Sequence, residues 1–193
     1  MKRFFDFNIS LFGLIIILPV LIILALLVKV TSKGPIFYRQ ERVGLEGGIF
    51  KLLKFRTMVI DADKIGSCVT VKNDPRITPV GSFLRNFKLD ELPQLMNVLK
   101  GDMSFVGPRP DVPGFADKLA GEDRIILSVR PGITGPATLK YRNEEELLAQ
   151  QADPDKFNAE VIYRDKIKLN REYVANRSFW KDLGYILETV FGR

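Results

Sequence analysis

The sequence predicts an α+β fold, mostly α, in which an N-terminal membrane helix leads into a small domain with a few short strands. Three observations carry this. Residues 9–28 hold 17 hydrophobic residues and no charge, and about 20 apolar residues are what a helix needs to cross bilayer hydrocarbon. Two short segments of roughly alternating character, 36–40 and 49–56, flank a loop containing Gly44, Gly47 and Gly48, the pattern of paired strands. Later in the chain, apolar residues recur at helical spacing between stiff Pro- and Gly-containing loops.

The first 30 residues could be a cleaved signal, a single span or a re-entrant hairpin. A signal peptide has a short apolar core and a small-residue cleavage site; here the core runs straight into Leu26-Leu27-Val28-Lys29. Pro19 sits near the midpoint, where it removes a backbone hydrogen bond and crowds the preceding turn. Both flanks are positive, with Lys2 and Arg3 before and Lys29, Lys33, Arg39 and Arg42 after, so the positive-inside rule does not choose an orientation. A span and a helix broken at Pro19 that returns to the same face both fit these residues.

Ser32-Lys33-Gly34-Pro35 ends the membrane segment. The expected division is therefore a membrane helix over 1–30 and a second domain over 31–193, a length suited to a single domain. After the two strands, a polar helix is expected at 60–66 and a turn at Asn73-Asp74-Pro75. A helix is expected from Pro79 to Asn86, with Val80, Phe83, Leu84 and Phe87 on one face. Another is expected from about Asp90 to Lys100, stopped by Gly101. Gly107-Pro108-Arg109-Pro110 and 130–136 read as stiff loops, and 155–175 and 178–191 as helices. Phe179, Leu183, Ile186, Leu187 and Val190 form a stripe on the last.

Composition narrows the chemistry. The chain has no His and one Cys, which removes His-dependent nucleophilic catalysis, His-ligated zinc and internal disulfides. Cys68 has no adjacent base or cation cluster to activate it. Residues 29–110 carry 14 Lys+Arg against 8 Asp+Glu, an excess equal to the net charge of +6, so a basic surface for phosphates or anionic lipid lies there. A non-enzymatic anchor whose basic segment binds anionic lipid or nucleic acid is the second reading. The aromatic-interleaved basic repeats of an RNA-binding surface are absent, and no nucleic-acid partner is expected.

With His absent, carboxylates are the natural nucleophiles and bases. Glu144-Glu145-Glu146 reads as a solvated helix start. Asp90-Glu91 stands out because Pro93 is tolerated only in a helix's first turn, which puts the pair at a helix N-terminus with Asp90 as its N-cap. Lys54, Arg56, Arg76, Arg85 and Arg109 flank the pair in sequence. Arg109, between two prolines, presents a guanidinium from a stiff backbone, suited to gripping phosphate. An Asp attacking phosphorus needs cations to offset repulsion, and Mg²⁺ is the usual divalent partner. Phosphoryl transfer through an aspartyl phosphate follows as the expected chemistry. Without a GxxxxGK[ST] loop or kinase signature, a nucleoside triphosphate donor is not expected.

The ordered runs Gly34–Phe37, Gln40–Gly44, Lys54–Met58, Asp74–Thr78, Val80–Arg85, Leu89–Gln94, Asn97–Ser104, Val106–Pro110 and Arg130–Gly135 resemble the bacterial sugar transferases, or monotopic small phosphoglycosyl transferases. That resemblance implies transfer of a sugar-1-phosphate from a nucleotide sugar, usually a UDP-sugar, to polyprenyl (undecaprenyl) phosphate, with release of UMP. It implies Asp90 as nucleophile and Mg²⁺ neighbour, Glu91 as base for the acceptor, and Lys54, Arg56, Arg76, Arg85, Gln94 and Arg109 as phosphate or substrate contacts. It also implies a re-entrant helix in the bacterial inner membrane and a catalytic domain on the cytoplasmic face, among membrane lipids. Two departures stand out. Leu18 precedes Pro19 where the family commonly has Ser, and Pro136-Ala137-Thr138 replaces the family's Leu-Ala-Gln.

Overall fold

The structure is a computed structural model that describes residues 1–65, 70 and 74–192. Helix α1 (Lys2–Thr31) leads into strands β1 (Phe37–Val43) and β2 (Ile49–Phe55). A short helix α2 (Ala62–Ile65), α3 (Pro79–Asn86) and α4 (Gln94–Lys100) follow, then strands β3 (Ser104–Val106) and β4 (Gly132–Thr134). The chain ends in α5 (Pro136–Lys140), α6 (Glu144–Ala149), α7 (Pro154–Phe157), α8 (Tyr163–Asn176) and α9 (Phe179–Phe191). Mostly helical α+β is what the sequence predicts. Cys68 and Asn73 lie outside the described residues.

Helix α1 is continuous through Pro19, so the chain is not interrupted at the expected break. One narrow stripe packs on the rest of the protein: Asp6, Ser10, Leu14, Ile17, Leu21, Leu24 and Val28, spaced three or four apart. The opposite side exposes Phe12, Ile15, Ile16, Ile22, Ile23 and Leu26. Both ends are tied down. Lys2 Nζ donates to Asp182 Oδ2 at 2.6 Å, Tyr173 Oη at 3.0 Å and the Val106 carbonyl at 2.8 Å. Arg3 donates to the carbonyls of Val98 and Leu99, which α4 leaves open at its C-terminus. At the far end Arg56 donates to the Ser32 carbonyl at 2.8 Å and hydroxyl at 2.7 Å.

Strands β1 and β2 form an antiparallel hairpin with Phe37 opposite Phe55, whose stacked rings lie 5.4 Å apart. Phe55 joins Leu21, Leu24, Val28 and Leu84 in one core cluster; Leu52 joins Val98 and Met103 in another. Asn97, buried in the middle of α4, locks the helix to β2. Its amide donates to the Lys51 carbonyl at 2.8 Å and accepts from the Leu53 amide at 3.0 Å.

Several expectations are corrected. Asp90 is no N-cap: Leu89–Glu91 is a 3₁₀ turn and α4 begins at Gln94, with Pro93 in the cap position. Pro93 has no N–H to continue an α ladder, so the chain winds more tightly, with Leu92 N–H donating to the Leu89 carbonyl at 3.3 Å. Parallel strands β3 and β4 pair Ser104 with Gly132 and Val106 with Thr134, so a strand stands inside the expected stiff loop 130–136 and another directly precedes the one at 107–110. The glycines there allow the close approach: a Cβ on Gly132 would sit 2.1 Å from the Gly107 nitrogen. Phe83 and Phe87 remain exposed although Val80 and Leu84 pack inward. In α9, Ile186 packs inward while Phe179, Leu187 and Val190 are exposed. A π-helical turn at Asn158–Ile162 joins α7 to α8. Glu144 pairs with Lys166 at 2.7 Å and Glu145 with Arg85, so this helix start is not merely solvated.

Gly132→Ala is expected to cost more than about 3 kcal/mol, because its Cβ meets backbone. Gly184→Ala, inside α9 with open space around it, should stay within about 1 kcal/mol of the parent or stabilise it. Thermal unfolding in detergent micelles checks the contrast.

Candidate active site

Three segments meet at the carboxylate pair. Strand β2 brings Lys54, on the same side as Leu52, toward the 3₁₀ turn that carries Asp90 and Glu91. The Pro108-Arg109-Pro110 loop closes the third side. Its position is fixed by Gly107 N–H donating to the Thr134 carbonyl at 2.9 Å and Gly132 N–H donating to the Pro108 carbonyl at 2.8 Å. Arg42 of β1 donates to the Pro110 carbonyl at 2.9 Å, and the Val43 N–H donates to the Asp111 carbonyl at 2.9 Å.

The two carboxylates are treated differently. Glu91 Oε1 accepts from Lys54 Nζ at 2.9 Å and from an Arg109 nitrogen at 2.6 Å. Burial opposes its charge, yet Arg109 and Lys54 together hold its carboxyl well below the usual range. Asp90 is 7% exposed, and among the described residues no group donates a hydrogen bond or forms an ion pair with it. Burial pushes its carboxyl up, against the pull of Lys54 and with a further push from Glu91. The dyad is one carboxylate neutralised by two cations and one left without a partner.

The structure brings together Lys54, Asp90, Glu91 and Arg109, with Arg85 close enough to act on Asp90 electrostatically. Gln94 is buried at the start of α4, one helical turn past Asp90. Arg56 and Arg76 are directed elsewhere. Arg56 holds the C-terminus of α1, and one of its guanidinium nitrogens is buried without a partner. Arg76 grips Asp74 through Nε at 2.9 Å and also donates to the Ala62 carbonyl at 3.0 Å.

Sequence reasoning missed three residues of the site. Arg42 lies beside Arg109; burial, then that neighbouring charge, lowers it to about 10. Asp111 follows the Pro-Arg-Pro loop, and burial pushes its carboxyl up to about 6 despite Lys166, Arg42 and Arg109. Asn97 sets β2 against α4. The charge next to the strand and the acid next to Pro110 were visible signals for the first two; a buried polar residue within α4 offered none.

On its own the protein offers a divalent cation a single free carboxylate, which is compatible with Mg²⁺ only together with substrate phosphates and water. No group of three or more acidic or Cys side chains forms a cage among the described residues, and Asp90 offers one unpaired carboxylate. Mg²⁺ is commonly bound by one or two carboxylates together with substrate phosphates and water. Asp90 would hold it.

A largely buried carboxylate pair beside two cations is an arrangement able to handle phosphoryl groups. The chain belongs to the bacterial sugar transferase family, whose model matches residues 1–192, and is a transferase. It is 50% identical over 121 residues to a Bacillus subtilis (strain 168) protein provisionally named for undecaprenyl-phosphate N-acetylgalactosaminyl 1-phosphate transfer, covering 63% of this chain and 68% of that one. It is 38% identical to the Escherichia coli (strain K12) UDP-glucose:undecaprenyl-phosphate glucose-1-phosphate transferase, over 99% of this chain and 39% of that protein. It is 34% identical to the exopolysaccharide production protein ExoY of Sinorhizobium fredii, over 98% of this chain and 83% of that one. The chain thus spans about two-fifths of the length of the E. coli relative.

Glu91 titrates lower in the folded state than unfolded, so its stabilising contribution is present above about pH 4.3 and lost as pH falls below it. Denaturation from neutral to acid pH should show wild type losing more stability than Glu91→Gln. Equal losses would mean that the Lys54 and Arg109 pairs contribute nothing.

Proposed function

We propose that the protein transfers a sugar-1-phosphate from a UDP-sugar to a membrane polyprenyl phosphate, undecaprenyl phosphate in bacteria, in two displacements. The observation that carries this is the asymmetry of the dyad: Asp90 buried and unpartnered, Glu91 beside it held by Lys54 and Arg109. The named activities of two relatives support the substrate classes.

Arg109 remains 38% exposed on its side chain and Lys54 19%, so an incoming diphosphate can draw both cations toward itself. A carboxylate oxygen of Asp90 bonds to the sugar-bearing phosphorus, and the bond from that phosphorus to the bridging oxygen breaks, releasing UMP with the electron pair. Lys54 and Arg109 offset the negative charge that builds up. As they shift to phosphate, Glu91 loses its counter-ions and its proton affinity rises. An oxygen of the polyprenyl phosphate then attacks the same phosphorus, Glu91 takes any proton this oxygen carries, and the Asp90 oxygen leaves as carboxylate. Mg²⁺, when bound, supplies charge neutralisation at the phosphoryl oxygens.

The reading extends to the membrane. The domain grips α1 by one stripe from Asp6 to Val28 and at both ends, which favours both ends lying on one membrane face, a re-entrant placement without a break in the helix at Pro19. We place that face on the cytoplasmic side of the inner membrane, where UDP-sugars are available, as the first membrane step of glycan assembly.

UMP release should require UDP-sugar, undecaprenyl phosphate and Mg²⁺ together for turnover, and EDTA should stop it. Asp90→Asn is expected to lose at least about 10³-fold. Glu91→Gln is expected to lose about 10²–10⁴-fold, in the acceptor step. Near wild-type turnover in Asp90→Asn would overturn the assignment.

A further inference from the structure

Two large apolar side chains stand open beside the site. In α3, Val80 and Leu84 pack against α1, while Phe83 and Phe87 are 48% and 66% exposed. Their rings touch, with centroids 5.0 Å apart. The inner stripe of α3 packs on the half of α1 around Leu21, Leu24 and Val28, and both helices carry exposed apolar side chains there, Phe83 and Phe87 on α3 and Ile22 and Ile23 on α1. Lys88 follows Phe87 directly and lies near enough to Asp90 to act on it electrostatically. This residue is held in the left-handed region at φ 55, a conformation uncommon outside glycine and often found at functional sites. Its ammonium makes no ion pair or hydrogen bond among the described residues. Asp90 follows two residues later in the adjoining 3₁₀ turn.

We propose that Phe83, Phe87 and Lys88 form the acceptor's approach to the site: the first isoprene units of the polyprenyl phosphate lie on the two rings, and its phosphate meets Lys88 beside Asp90. The occupant follows from shape and charge together. A pair of exposed, touching rings on a helix packed against the long apolar α1, followed directly by an unpaired cation, matches a molecule with an apolar tail and an anionic head. Bulk lipid would need only the apolar part. The proposal rests on Asp90 as the nucleophile.

The full chain in detergent micelles tests it through three readouts. These are KM and kcat for undecaprenyl phosphate and for farnesyl phosphate, isotope exchange between UMP and UDP-sugar without acceptor, and cosedimentation with acceptor-free phospholipid vesicles. Phe83→Ser/Phe87→Ser should raise KM for both acceptors at least about tenfold, while exchange and vesicle binding persist. Phe83→Leu/Phe87→Leu should restore most of the affinity. Lys88→Ala should also raise KM for both acceptors, and Lys88→Arg should rescue it. Unchanged KM values in the serine variant overturn the proposal. Lost vesicle binding with KM intact assigns the ring pair to bulk lipid and overturns the proposal as well. Absence of UMP exchange in the wild-type protein would instead count against Asp90 as a nucleophile, so the two failures are distinct.

Discussion

The two cations on Glu91 hold the site together. Lys54 arrives on β2, Arg109 on the Pro-Arg-Pro loop and Glu91 on the 3₁₀ turn, three segments that meet at one carboxylate. Removing one partner of a buried pair leaves an uncompensated charge, which costs far more than the pair itself contributes. The arrangement therefore fixes the loop relative to the strand. Its second consequence is chemical: by satisfying Glu91 it keeps both cations away from Asp90, whose carboxylate stays free beside them.

The surrounding packing protects that geometry. Asn97 sets β2 on α4, Arg42 holds Pro110, and the Gly107–Gly132 contact brings β3 and β4 close enough to pin the loop. The same domain accepts α1 along a single stripe that includes Asp6 and Ser10, both buried. Hydropathy marks this helix as long and apolar enough to cross a membrane. The contacts add that it is also one wall of the domain that carries the carboxylate pair.

Much of this was legible in the sequence where local signals dominate. Helix α3 has the expected bounds, α4 stops at Gly101 in the left-handed conformation, and the strands flank the glycine loop. The dyad and two of its cations, Lys54 and Arg109, were also legible. Errors arose where a residue's role depends on a distant partner. Pro93 was read as a first-turn residue, whereas it separates a 3₁₀ turn from α4. The short strands β3 and β4 exist only through each other, and three residues of sequence carry little periodicity. Arg56 and Arg76 looked like members of one cationic set, but their partners are Ser32 and Asp74. The charge of Arg42 stood in plain sight beside the first strand, but its partner, Pro110, lies far along the chain, so spacing did not join them.

The most direct measurement is the intact mass of the protein after incubation with UDP-sugar and Mg²⁺ in the absence of acceptor, followed by peptide mapping. The account predicts a gain equal to one sugar-phosphate, located on Asp90 and discharged by adding polyprenyl phosphate. A protein that turns over rapidly yet shows no such adduct under any quench, or carries it on Glu91, would contradict it.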